Sequence, residues 1–205
     1  MDVNIFLHIW YGCSNRMFST DKIWGTPGAS LYEIPTNPLD DERSTHDTLQ
    51  LMTAMARSDA SSPQVQHLAH ALIEGCKSVP EVLTSLWFWA RDHILLKPHE
   101  HIVSELLSAP IFDKQLLIRP ASLLVMPHPQ GDCAIYSTLI ASVCIALRLP
   151  SCFRIIAADA EEPERWSHVY VVAWTGEGSY ALDASHGKYP GYEKPNPFRV
   201  MDWPV

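Results

Sequence analysis

GDCAIYSTLIASVCIAL, residues 131–147, is apolar on nearly every side once past its first three positions. A helix lying on a surface would carry a polar stripe, so this one belongs in the middle of a domain with other elements around it. Asp132 is a natural N-cap, Cys133 stands in the first turn, and Pro150 ends the run. The pattern then changes. Residues 153–157, 168–174 and 179–184 are rich in β-branched and aromatic side chains and predict strands, the last two joined by Thr175-Gly-Glu-Gly178. Helices first and antiparallel strands afterwards make an α+β domain, its central buried helix packed on an antiparallel sheet.

Upstream of that helix the signals are helical. Ser44-Thr-His-Asp47 has capping-box spacing before Leu49, Met52 and Met55, Ser62-Pro63 starts a second helix that stops near Gly75, and a third runs from Pro80 to Lys97. Residues 98–129, with their prolines, apolar clusters and histidines, read as a wrapping segment with one or two short helices. Residues 1–43 are interrupted by Gly25, Pro27, Gly28, Pro35 and Pro38 and read as an irregular or short-strand N-terminal extension. The domain proper is then 44–188, and the prolines of 189–205 predict an extended tail packed on the body or on another subunit.

The chemistry lies in three positions. A thiol in the first turn of a helix meets unpaired N–H groups and the positive end of the dipole, which favour its ionised form and offer donors to a developing oxyanion. Cys133 is placed there. His168 opens one predicted strand and Asp183 lies in the next, 15 residues on. If Gly176-Glu177 form a two-residue turn, Thr175 pairs with Gly178 and His168 with Ser185. Asp183 then falls two residues from direct opposition on the same face, about 7 Å away and within imidazole–carboxylate reach. A slip of one residue would put the two on opposite faces. Together these residues read as nucleophile, base and orienting acid. For a second oxyanion donor the candidates are the Gln130 amide or an indole N–H from Trp166, Trp87 or Trp89.

Gly131-Asp-Cys133, the helix end Ala146-Leu-Arg-Leu-Pro150, the strand Phe153-Arg-Ile-Ile156, Ser167-His-Val-Tyr-Val171 and Leu182-Asp183 resemble the transglutaminase-like superfamily of papain-type cysteine enzymes. The resemblance extends more weakly to Trp87-Phe-Trp-Ala-Arg-Asp-His-Ile94. Glu105-Leu-Leu-Ser-Ala-Pro110 and Pro120-Ala-Ser-Leu-Leu124 are similar to short bacteriophage-borne members, often found among tail genes. It implies a papain-like core with Cys133 as nucleophile, His168 as general base and acid, and Asp183 orienting His168. Its implied activity is thiol-dependent amide cleavage or exchange through a thioester, on a peptide or other amide-containing substrate and with no cofactor. Its phage side implies the alternative of a tail or baseplate component, assembled with other tail proteins into a virion and using the fold as a scaffold. The chain departs from the pattern at Ala134, Arg148 and Cys152, where relatives often carry an acid, a glycine and an arginine. Arg154, on the same strand face as Cys152, is the stand-in for that arginine.

Other features exclude or compete. A net charge of −8, with no basic block, argues against a nucleic-acid partner, and no stretch is long and apolar enough to span a bilayer. The start Met1-Asp-Val-Asn4 lacks the basic region of a secretory signal, which predicts a chain made in the cytoplasm. Five widely spaced cysteines without a CxxC fit reduced thiols. His67, His70 and Glu74 have metal-like spacing but lie opposite the apolar face of their helix, and His99-Glu-His101 lacks a second ligand pair, so no metal is expected. His128 and His186 rank behind His168 as bases, since neither sits on a predicted strand.

Overall fold

In chain order the elements are β1 (Phe6–Trp10), β2 (Met17–Thr20), β3 (Ser30–Pro35), α1 (Asp41–Asp59), α2 (Pro63–Ile73) and α3 (Val79–His93). Then come β4 (Leu95–Leu96), β5 (Lys114–Ile118), α4 (Pro120–Leu123), β6 (Gln130–Gly131) and α5 (Cys133–Ala146). β7 (Ser151–Ala157), β8 (His168–Thr175), β9 (Gly178–Leu182) and β10 (Arg199–Pro204) complete the chain. This is a computed structural model, and it describes residues 6–10, 17–20, 30–35, 41–98, 101–102 and 114–205.

Helix α5 is the centre of the α+β fold. Every residue from Ala134 to Cys144 is buried, as its unbroken apolarity requires. One side rests on the antiparallel sheet β10-β7-β8-β9, where Phe153, Ile155, Val169, Val171, Ala173 and Leu182 meet it. Helices α1 and α2 cover the other side through Leu49, Met52, Val65, Leu68 and Leu72. The polar groups inside α5 are satisfied locally or across to the sheet. Thr138 and Ser142 donate to Ala134 O and Leu139 O, and Ser137 donates to Val169 O of β8. No helix among the described residues is long and apolar enough to cross a membrane.

Helix starts follow local chemistry. Ser62 caps α2 by accepting from Val65 N–H with Pro63 just inside, and Ser78 does the same for α3 through Glu81 N–H. α1 begins at Asp41, three residues before the predicted Ser44, and Glu42 is favourable at the positive end of a helix. α3 stops at His93 rather than running to Lys97. Ile94 turns to extended backbone, and Leu95 and Leu96 pair in parallel with Gln130 and Gly131. Leu95 N–H donates to Pro129 O and Lys97 N–H to Gly131 O, so the end of α3 anchors the residues that lead into Cys133.

Two further pairings were not expected. β3 pairs antiparallel with β5, giving a second sheet of order β2-β1-β3-β5. The C-terminal residues add β10 to the edge of β7, with Asp202 opposite Arg154. Arg154 holds that carboxylate through Nε and Nη2, each at 2.7 Å, and donates Nη1 to Glu193 at 2.9 Å. Its guanidinium is therefore occupied by the chain's own C-terminal segment. The stretch Glu105–Pro110 and the residues His99 and Glu100 lie outside the described residues.

Candidate active site

The approach to Cys133 is built by close packing. A Cβ on Gly131 would lie 2.6 Å from Ile135 Cγ2, so only glycine lets β6 run this close to the first turn of α5. Asp132 then caps the helix, accepting from Ala134 N–H and Ile135 N–H, both at 3.1 Å, while Gln115 donates to its other oxygen at 2.8 Å. These bonds leave out the N–H of Cys133 itself, which has no partner among the described residues. Cys133 is half-buried, with its side chain against the core.

The β8–β9 hairpin has the register that its turn predicts, Thr175 opposite Gly178 and Val171 opposite Leu182. His168 and Asp183 consequently meet, with Nε2 2.8 Å from Asp183 Oδ2. A buried carboxylate accepts, so the shared proton sits on Nε2 and Nδ1 takes no part in that bond. Burial pushes the His168 pKa down. The hydrogen bond to Asp183 and the hydrogen bonding and charge of Cys133 more than reverse this and raise it to about 10. Burial likewise pushes Asp183 up, but the His168 hydrogen bond and charge, then His186 N–H and Ser185 O–H, hold it below the usual carboxylate range.

Asp183 is fixed from several directions. Its Oδ1 accepts from Ser185 O–H at 3.0 Å and His186 N–H at 2.9 Å. Its backbone carbonyl accepts from Trp87 Nε1–H at 2.8 Å and Gly187 N–H at 2.9 Å. A Cβ on Gly187 would come 2.2 Å from that carbonyl oxygen, so this tight return of the chain also demands glycine. One face of α3 runs along the segment. Thr84 Oγ1 meets Tyr180 O–H at 2.7 Å, Trp87 meets Asp183, and Arg91 donates to Gly187 O at 2.9 Å with its guanidinium over the Trp87 ring. Residues 84, 87 and 91 are spaced to share one helix face, and each reaches a partner 96 positions on.

The remaining candidates separate. Gln130 is buried, makes no side-chain hydrogen bond among the described residues, and lines a cleft of about 1090 Å³ with Trp89, Ile94, Leu95, Leu124 and Met126. Trp87 is committed to Asp183, and Trp89 stacks on His93. Trp166 packs under the Arg199 guanidinium at 4.1 Å and helps to hold the Glu42 carboxyl, near the start of α1, below its usual range. His128 is exposed in the cleft wall, away from the pair. His67, His70 and Glu74 are exposed, opposite the buried Val65, Leu68 and Leu72. His186, ranked low from sequence, lies edge-on to His168 with ring centroids 4.7 Å apart. Ligand-type atoms of His168, Asp183 and His186 lie within 4.8 Å of one another, but those of the first two are taken up by their mutual hydrogen bond. Sequence reasoning offered Trp87 as an oxyanion donor rather than as a support for Asp183, and it missed Ser185 and Gly187. The signal that could have found the last two is the polar and glycine run Ser185-His-Gly187 directly after Asp183.

No family model matches this sequence, and no curated protein does. Solved structures do resemble the fold. One is named "Putative Cysteine Protease from Cytophaga hutchinsonii", with 16% identity and a TM-score of 0.44 over 62% of this chain and 38% of that one. A second, named as a TGase, has 10% identity and a TM-score of 0.41 over 83% of this chain and 55% of that one. A third, named "putative protease from Parabacteroides distasonis", has 7% identity and a TM-score of 0.45 over 85% and 42%. This chain thus spans between 38% and 55% of their lengths. Likenesses at this level carry no information on activity.

Proposed function

We propose that this chain is a thiol-dependent acyl-transfer enzyme that cleaves or exchanges an amide bond in a peptide, through a thioester on Cys133. The reading is carried by one arrangement: Asp183 holds Nε2 of His168 at 2.8 Å, while Cys133, in the first turn of the buried helix, acts on the same ring. His168 carries the thiol proton on Nδ1 in the resting pair, and the Sγ thiolate attacks the carbonyl carbon. The oxyanion that forms is met by the N–H of Cys133 and by the Gln130 amide, neither of which has a partner among the described residues. As the C–N bond breaks, the proton on Nδ1 passes to the departing amine. His168 then takes a proton from water or an acceptor amine, which attacks the thioester and releases Sγ as thiolate. Water gives hydrolysis, and an amine gives a new amide. These steps need no metal or organic cofactor.

The test is mass spectrometry of protein quenched during turnover of an activated ester or a peptide amide. An acyl adduct on the Cys133 peptide, reversed by hydroxylamine and absent from Cys133→Ala, supports the reading. Turnover that survives Cys133→Ala contradicts it. Reactivity of Cys133 no greater than that of the half-buried Cys76 would instead favour the scaffold role in a phage tail or baseplate that the sequence resemblance raises.

A further inference from the structure

His186 is an exposed second imidazole in contact with the first, and the steps above do not use it. Its ring crosses His168 at an interplanar angle of 72° with centroids 4.7 Å apart. Its backbone N–H and the Ser185 hydroxyl share Asp183 Oδ1. Its Nδ1 lies 3.0 Å from that same Ser185 Oγ. Donor and acceptor roles follow. The ionised carboxylate of Asp183 can only accept, so the Ser185 proton points to Oδ1. Ser185 Oγ is then left to accept from His186, which puts the His186 proton on Nδ1 and leaves Nε2 bare. The hydrogen bonds therefore run from His186 through Ser185 and Asp183 to His168. The two imidazoles meet the carboxylate through different oxygens.

Given the thiol–imidazole reading, on which this rests, we propose that His186 is a positioning residue whose charge state gates the site. As a neutral ring it holds Asp183 in place through Ser185, and as a cation it opposes the positive charge that His168 must carry beside the Cys133 thiolate. The charged and titratable groups facing it are Asp132 at the cap of α5, His168 on β8, Asp183 in its own loop and Lys194 from the C-terminal segment. Burial and then the charge of His168 push its pKa below the ordinary value, while Asp183 and Asp132 oppose this. The ring is thus neutral at neutral pH and takes its proton only in more acidic solution, where it would switch the pair off. The mechanism separates two roles: His168 moves the proton, and His186 sets the pH below which it stops doing so.

The experiment is the pH profile of iodoacetamide alkylation, resolved by mass spectrometry at the Cys133 peptide in the full chain. His186→Asn keeps a donor for Ser185 Oγ but cannot take the charge. His186→Lys carries the charge permanently. In the wild type the Cys133 rate should fall on the acid side more steeply than one proton allows, because His186 and the pair both titrate. H186N should flatten that fall to one proton and move its midpoint down by about half a pH unit or more. H186K should lower the rate at pH 7 by about five- to tenfold. Thermal unfolding of both variants separates lost fold from changed charge, and neither profile change is expected of a merely structural residue. Wild-type slope and midpoint in H186N, together with a wild-type rate in H186K, would overturn the gate. A wild-type Cys133 no more reactive than Cys76 at neutral pH would overturn the thiol–imidazole reading itself, and the gate with it.

Discussion

Replacing Asp183 by Asn tests how much of the site depends on one carboxylate. The change is nearly isosteric, and the amide oxygen can still accept from Ser185 and His186 N–H, which now hold Oδ1. Those two donors would turn the NH₂ group towards His168. The ring then has to accept at Nε2, so its proton moves to Nδ1, the nitrogen that should be taking one from Cys133. The rise of the His168 pKa from 6.5 to about 10 is roughly 5 kcal/mol in favour of the charged ring, shared between Asp183 and Cys133. Losing about half of this removes roughly 2–3 kcal/mol, or about 10²-fold, from the population of the charged pair. The wrong tautomer adds to that, so kcat/KM should fall by about 10³- to 10⁴-fold with KM little changed. Steady-state kinetics on an activated ester and alkylation of Cys133 at pH 7 give the two components separately. If D183N keeps wild-type alkylation and loses less than about tenfold in kcat/KM, Asp183 does not act on His168 in this way.

Three further outcomes follow from the same geometry. Trp87→Phe removes the indole donor to the Asp183 carbonyl from a side chain that is 2% exposed, and should cost about 1–3 kcal/mol in urea unfolding while lowering kcat. Gly187→Ala forces a Cβ into the Asp183 carbonyl, should destabilise by about 1–3 kcal/mol, and should shift the pH profile of Cys133 alkylation because Asp183 moves. The pair also makes stability pH-dependent. His168 has a raised folded pKa, so its contribution is complete below its unfolded value of 6.5 and is lost as pH rises to about 10. Asp183 has a lowered one, so its contribution holds above 3.8 and is lost as pH falls below it. Urea midpoints should therefore decline between pH 6.5 and 10 in the wild type, and much less in His168→Ala.

The sequence made the centre of the molecule readable, and its limits have physical causes. α5 was legible because burial on every side leaves an all-apolar run, and its cap and stop are local signals. The β8–β9 register was legible because a two-residue turn sets pairing on both sides of it, which brought His168 and Asp183 together before any coordinates. The pairings of β3 with β5, β4 with β6 and β10 with β7 join distant or very short segments, and local periodicity carries no record of a distant partner. Leu95 and Leu96 continue the apolar character of α3, so its end depends on the tertiary pairing with Gln130 and Gly131. Trp87 read as a core aromatic, which it is, but its N–H partner lies 96 residues away. His186 follows a strand end, where sequence gives no direction for a side chain. A tight return through Gly187 supplies that direction.

Nitrogen-15 NMR of the His168 ring at pH 7.5 reaches the central relation directly. The account predicts both ring nitrogens protonated in the wild type, and a ring that loses its proton at lower pH in Cys133→Ala and in Asp183→Asn. A neutral His168 in the wild type at that pH would contradict it.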